Sequence, residues 1–341
     1  MRPWARYLIS RLLFTVINIF LGVSIIFVLL RLLPATAVEL RLRHAYSLGM
    51  LRYPEEAERL REAWSRFYGI ETDPVMQYFE LWRRLLTLDF GPSLISFPTP
   101  VRTLLMNSLP WTILLLTVSI VVSWSLGTAL GIISGSAPNS RVSKLLVGLS
   151  SALYPIPYYI LGLVLIFTFA YLIPLFPLGG GISVVPPHLT GNPAHDLALI
   201  LNIIHHAALP SFSLILPMGL GWFFLSAYSS TISGNLEEHI RFARMLGLRE
   251  GTIRWHHLWG EIRLAQTTLL TLQMSQILGG AVLTEIIFAY PGLGYLVFRA
   301  IGVFDYNLLA AVALVSCLVV SLSVLVIDLL TPLLDPRARA D

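Results

Sequence analysis

Asn235–Arg263 reads NLEEHIRFARMLGLREGTIRWHHLWGEIR, a polar and densely charged interruption between two long apolar runs. Its 29 residues far exceed what a turn between two spans requires. Leu236, Ile240, Ala243 and Gly247 fall at i, i+4, i+7 and i+11, one stripe of a helix. Asn235 with Glu238 three residues on has the form of a capping box. Gly247 is placed to stop that helix. Two small residues on the stripe suit a protein groove better than a lipid surface, and Glu237, Arg241 and Arg244 lie off it. A second helix is expected from Thr252 through Trp255, His256, His257 and Trp259 into the next apolar run.

Around this stretch the chain has membrane-protein composition. Of its 341 residues 56% are hydrophobic and 12% charged, half the charge of an ordinary soluble domain at about 25%. Six apolar runs are long enough to span: Leu12–Leu30, Leu109–Ser134, Leu145–Leu172, Leu209–Ile232, Leu264–Ala289 and Leu308–Leu330. Ala35-Thr36-Ala37 has the form of a signal-peptide cleavage site, but the first run is longer than a signal-peptide core, which favours a retained span over a cleavable signal peptide. Pro155 and Pro157 predict a kink or unwound turn near the start of the third. The segment 176–201 reads as a Gly/Pro-rich loop carrying His188 and His195, with His205 and His206 just before the fourth run. Their spacing matches no metal-ligand pattern.

Residues 34–108 have soluble-like composition. Tyr53–Phe67 predicts a helix, with Pro54 and acids first and arginines later, ended by Gly69. Pro74–Leu88 predicts a second, whose Met76, Phe79, Trp82, Arg83 and Leu86 form a mixed face suited to a membrane surface. A folded cap over the span ends and a docking surface for an outside partner both fit this segment.

Orientation follows from the arginines. Arg2, Arg6 and Arg11 precede the first run, Arg141 and Lys144 fill the loop after the second, five arginines lie in Asn235–Arg263, and Arg337 and Arg339 close the chain. The opposite loops hold none between 174 and 207 and only Arg299 between 290 and 305. The 34–107 segment exceeds the length over which the positive-inside bias counts, and six spans with both termini cytoplasmic fit every short loop, so Asn235–Arg263 is expected in the cytoplasm. No acid, Arg or His stands mid-span; Glu285 and Asp328 lie near span ends. That argues against an ion-coupled carrier and a charged channel filter. The single lysine, Lys144 in Val-Ser-Lys-Leu, excludes a P-loop. Energy would have to arrive from another protein. Cys317 stands alone, so no intrachain disulfide forms.

Glu237-Glu238-His239-Ile240-Arg241-x-Ala243-Arg244-x-x-Gly247-Leu248 resembles the EAA loop of ABC importer permeases. Two further stretches carry the likeness: Gly280-Ala-Val-Leu-Thr-Glu285-Ile-Ile-Phe-Ala-Tyr-Pro291-Gly-Leu-Gly294, and Asp305-Tyr306 with Ile327-Asp328 and Asp335-Pro336-Arg337. Together they are similar to the B-type, first permease subunit of the peptide/nickel/oligosaccharide importer family. The chain departs from that pattern at Leu264-Ala265, where the family has Leu-Pro, at Leu246, where a basic residue is common, and at Tyr228, where an Arg is frequent.

The resemblance implies an all-α membrane protein of type I importer permease fold, six transmembrane helices with an extracytoplasmic helical insertion between the first two. Residues 1–33 would be the N-terminus and first span, 34–108 the insertion, 109–334 the five-helix core with its coupling loop at 235–263, and 335–341 a cytoplasmic tail. Such a subunit sits in the cell (inner) membrane as a non-catalytic component. Its partners are a second homologous permease, two ABC ATPase subunits and an extracytoplasmic solute-binding protein, and no nucleic acid. The chain itself holds no cofactor or metal; ATP and Mg sit on the ATPases. The expected coupling residues are Glu237, Glu238, Ile240, Arg241, Ala243, Arg244, Gly247 and Leu248. Tyr154, Pro157, Tyr158 and Trp222 are candidates for lining a path, with bundle packing as the plainer role. Oligopeptide is the favoured cargo over oligosaccharide or a nickel complex. A self-contained secondary carrier or channel is the alternative, and a membrane scaffold a third.

Overall fold

A computed structural model of the chain describes residues 3–32, 34–49, 53–68, 73–181 and 193–334. These are almost entirely helical: α1 Pro3–Leu32, α2 Pro34–Ser47, α3 Pro54–Tyr68, α4 Pro74–Thr87, α5 Val101–Ser136, α6 Arg141–Leu153 and α7 Tyr158–Ile166, the last continuing as a wider π turn over Phe167–Leu172. Then come α8 Pro193–Ile215, a π segment Leu216–Phe223, α9 Phe224–Gly234, α10 Glu238–Met245, α11 Glu250–Thr252, a π segment Ile253–Leu258, α12 Trp259–Ile287, α13 Leu293–Gly302 and α14 Tyr306–Leu334. The expected stop at Gly69, His188 and the tail 335–341 lie outside the described residues.

Four described helices are long and apolar enough to cross a bilayer: Arg6–Leu29, Val101–Ser136, His195–Gly234 and Tyr306–Leu329. The third expected span is not one helix. Between Arg141–Leu153 and Tyr158–Leu172 the chain turns by 102°, and counting that pair as one span makes five. The reason is local. Pro155 and Pro157 remove amide donors, and Pro157 itself is extended (φ −62°, ψ 141°) before α7 starts, so the expected kink becomes a corner. Ser140 starts α6 by accepting from the Ser143 amide at 3.1 Å. The expected fifth span lies in α12, a continuous helix of 29 residues that starts five residues earlier and ends two residues sooner than that run.

The fourth span begins well before its expected start, because α8 opens at Pro193. Proline at a first helical position with Asp196 in the first turn is a helix-start signal, and it displaces the loop expected up to residue 201. His195, His205 and His206 are therefore helical. His206 is buried, its Nδ1 2.9 Å from the Asn202 carbonyl, and His205 Nε2 lies 2.8 Å from the Leu175 carbonyl. The His205 contact ties the middle of α8 to the turn after α7, and the His206 contact stays within α8.

The chain divides into two compact units, Met1–Arg11, Pro110–Tyr295 and Ser323–Asp341 forming one, Leu12–Leu109 and Leu296–Leu322 the other. In the first, Leu115, Leu165, Leu214, Met218, Phe223, Phe288 and Tyr290 make the main core. Gly127, Gly131 and Gly135 along α5 face Gly219, Ala227 and Thr231, which brings the two backbones into contact. Buried Gln266 on α12 joins three helices: it donates to Ser226 Oγ at 3.0 Å and accepts from Thr128 at 3.3 Å, while Trp124 donates to its carbonyl at 3.2 Å. At the chain's ends Tyr7 donates to the Asp328 carbonyl at 2.6 Å and Arg11 pairs with the Asp328 carboxylate at 3.4 Å.

Also in this unit, the Gly280–Gly294 motif is an exchange of caps. The Glu285 carboxyl, fully buried near the end of α12, accepts from Thr112 Oγ1 at 2.7 Å and from the Gly294 amide at 2.6 Å, and also from the Tyr295 amide. Thr112 in turn accepts from the Leu293 amide at 2.8 Å. Orphan amides at the start of α13 are thereby satisfied. A Cβ on Gly292 would lie 2.3 Å from the Glu285 carboxyl carbon, which is why glycine stands there.

In the second unit Asp305 does similar work. It is fully buried, accepts from the Leu308 amide at 3.1 Å at the start of α14, and takes the Ser93 hydroxyl and Leu94 amide on its other oxygen, each at 2.5 Å. The Asp305-Tyr306 motif thus anchors the segment before α5. On α4, Glu80 receives two bonds of 2.7 Å from Arg83 and one of 3.1 Å from Arg84. The Arg83 bonds, chiefly, hold its carboxyl at about 2, below the ordinary 4.5. A depressed carboxyl stabilises the fold above the unfolded value and loses that contribution as pH falls towards 2. Glu80→Gln should flatten the acid limb of thermal unfolding followed by circular dichroism. The effect is small, because both partners are largely solvated.

Candidate functional site

The stretch that organises the sequence folds as α10, a turn, α11, a π segment and the start of α12. Its start differs from the expectation. Asn235 does not cap α10; it closes α9 with φ −63° and ψ −16°, and the extended Glu237 is the residue before α10. The Asn235 side chain is spent on tertiary bonds instead. Its Nδ2 donates to the Gly135 carbonyl at 2.9 Å, and its Oδ1 accepts from Arg244 at 2.8 Å. Arg244 also reaches Glu250 at 3.2 Å. Arg244 therefore clasps the loop to the end of α5.

The small-residue stripe also turns the other way from the expectation. Ile240 and Ala243 are buried, at 0% and 3% exposure, against Ile253 and Leu258 of the same chain. The groove they fill is internal. Burying two small-to-medium side chains on a one-sided, eight-residue helix is enough to seat it and leaves the opposite face bare. That face carries Phe242 and Met245, exposed at 60% and 80%, with Leu246 beside them. Glu238, His239, Arg241, Phe242 and Met245 line a shallow hollow. Arg241 thus faces outward, as the sequence implied, and Glu238, expected to complete a capping box with Asn235, faces outward with it. Phe242 and Met245 were missed, although their i, i+3 spacing opposite Ile240 is legible in the sequence.

Gly247 ends α10 with φ +75°. Its amide donates to the Arg244 carbonyl at 3.0 Å and the Leu248 amide to the Ala243 carbonyl at 3.3 Å, the paired bonds of a Schellman turn. His239 lies 3.4 Å from Glu261 at the head of α12. α12 runs unbroken through Leu264-Ala265, so without the proline the helix carries straight from the loop to Gln266.

The four aromatic and proline candidates divide. Tyr154 and Trp222 meet with ring centroids 5.0 Å apart, and Gly221 lets their backbones close in. Pro157 stands exposed at the corner before α7, whereas Tyr158 packs on the main core.

The structure is thus a helical chain with several helices apolar and long enough to cross a membrane and a short helix, seated on the chain itself, that leaves an apolar face bare between charges. The family described as binding-protein-dependent transport system inner membrane component matches residues 127–340, and the chain belongs to that family. It is 29% identical to the oligopeptide transport system permease protein AppB of Bacillus subtilis over 98% of this chain and 99% of the relative. It is 26% identical to the dipeptide transport system permease protein DppB of Lactococcus lactis subsp. cremoris, with the same coverage. With the nickel import system permease protein NikB of Staphylococcus aureus it shares 25% identity over 97% of this chain and 91% of the relative. The chain is a non-catalytic, multi-pass membrane permease of an ABC importer.

Proposed function

We propose that the chain forms half of the translocation pathway for oligopeptides and takes its energy through α10 from an ABC ATPase. The observation that carries this is the bare Phe242–Met245 face on a helix whose other side is fixed to the chain by Ile240, Ala243 and Arg244. Such a helix transmits a push, since it cannot slide without moving the end of α5 and the head of α12. Glu237, Glu238, Arg241 and Leu248 would flank the seat, and Gly247 would set its turn.

The remaining parts follow from the family. A second homologous permease completes the pathway, two ATPase subunits hold ATP and Mg, and an extracytoplasmic binding protein delivers cargo. Six spans with both termini in the cytoplasm agree with the arginines of the short loops, and 34–108, which would then lie on the outer side, is too long for that bias to apply. α12 supplies the span that length and composition leave uncounted. The peptide-importing relatives favour oligopeptide over oligosaccharide or nickel complex. Tyr154, Pro157, Tyr158 and Trp222 would border the path, the Tyr154–Trp222 pair beside the α6–α7 corner being the best placed.

Co-purification tests the reading. With the ATPases co-expressed, Phe242→Ser with Met245→Ser should reduce recovered ATPase severalfold while the chain inserts normally. Undiminished recovery would sink α10 as the seat.

A further inference from the structure

The side chains of α4 sort into three sectors. Tyr78, Trp82 and Leu85 face inward: Trp82 stacks with Phe20 of α1 at 6.1 Å, and Tyr78 meets Phe27 at 5.2 Å and hydrogen-bonds Ser24 at 2.8 Å. Leu85 is 3% exposed. Glu80 and Arg84, with Gln77, make a polar sector held by the ion pairs described above, and Arg83, which also pairs with Glu80, stands exposed one turn beyond Phe79 at the edge of the next sector. Between them Val75, Phe79 and Leu86, with Met76 at the flank, form an apolar stripe exposed at 60–78%.

Two observations say what covers that stripe. The first is depth. Trp82 meets α1 at Phe20, nine residues short of the Leu29 end of the apolar segment. At ~1.5 Å per residue that is roughly 14 Å, nearly half of a ~30 Å hydrocarbon core. α4 is thus alongside the span and not above it. The second is continuity. Only 6% of the apolar window of α1 is buried inside the chain, and Leu13, Val16, Ile17, Phe20 and Leu21 stand about half exposed. The bare stripe of α4 extends this same surface.

We infer that α4 slants into one leaflet beside the first span, Tyr78 at the level of Phe27 and Trp82 at that of Phe20, with Val75, Phe79 and Leu86 covered by lipid acyl chains and the paired Glu80, Arg83 and Arg84 reaching back towards the headgroups. It secures the 34–108 segment to the membrane beside the first span. The inference needs α1 to be a span and does not depend on α10, on the cargo or on the orientation.

Spin labels read this directly. In a Cys317→Ser background, Phe79→Cys and Leu86→Cys report on the stripe, and Gln77→Cys and Arg84→Cys on the polar sector. The full-length chain would be reconstituted in phosphatidylethanolamine/phosphatidylglycerol vesicles. Collision rates with oxygen, which concentrates in the acyl region, and with a water-soluble nickel chelate are then compared. The stripe labels should show a severalfold higher oxygen-to-nickel ratio than the polar-sector labels. Equal ratios would place the stripe in water and overturn the inference. Suppression of both collision rates at Phe79 and Leu86 would mean that protein covers the stripe, and would overturn it equally. All four substituted positions are outside the packed sector, so folding is not at risk; circular dichroism confirms it.

Discussion

Gly247→Val is expected to cut ATP-driven uptake by at least about tenfold while the chain still inserts and the ATPases still hydrolyse ATP. Gly247 sits at φ +75° with nothing within 4 Å of where a Cβ would stand. The obstacle is thus conformation and not space. A β-branched residue in the left-handed region pays more than the ~1–2 kcal/mol that an ordinary residue pays. The Schellman bonds to Arg244 and Ala243 are then lost, and Phe242 and Met245 swing away from the plane that Ile240 fixes. Since ~1.4 kcal/mol is a factor of ten in population, most molecules would present a misaligned seat. Gly247→Asn is the decisive companion, because asparagine tolerates the same φ. Uptake by the Asn variant should stay near normal. Failure of both variants would show that the space beside Gly247 is filled by a partner, and normal uptake by the Val variant would remove the turn from the coupling path. Uptake and ATP hydrolysis measured together in proteoliposomes separate these results.

The parts of the fold legible in the sequence were those set by long-range composition. Apolar runs mark α1, α5 and α14, since twenty apolar residues have few other uses. The parts that escaped are those where a local rule competes with tertiary bonding. Asn235 has the spacing of a helix cap, but an amide that can reach both the Gly135 carbonyl and Arg244 does more buried work there than at a solvated helix start. The Ile240–Ala243 stripe was recognised as a contact face, yet periodicity does not say which partner fills the groove. The answer came from Ile253 and Leu258, brought in by a π segment that no sequence period signals. The α6–α7 corner was visible as two prolines, though the size of the bend depends on how the neighbours receive it. Glu285 and Gly292 were seen only as a motif, because the contact that joins them needs a helix end and a helix start to meet.

That contact yields the largest stability effect. Glu285→Ala leaves the Gly294 and Tyr295 amides and the Thr112 hydroxyl without their acceptor in a fully buried place. At ~1–3 kcal/mol for each orphaned group, the loss is roughly 3–5 kcal/mol after relaxation and partial rescue by water. Gly292→Ala should cost a comparable amount from the other side, since its Cβ would fall 2.3–2.4 Å from the carboxyl atoms and must expel them from the cap. The two losses share one cause, so they should not add. With the carboxyl already removed, the Cβ enters vacated space, and the double variant should be little worse than Glu285→Ala alone. A double-mutant cycle on the melting of the solubilised chain measures this, with a coupling energy of roughly 2–3 kcal/mol expected. Additive losses would mean that Gly292 is held by the Pro291 turn and not by Glu285. The cap would then be only one consequence of the helix ends meeting, and the spacing of Glu285 and Gly292 would have another origin.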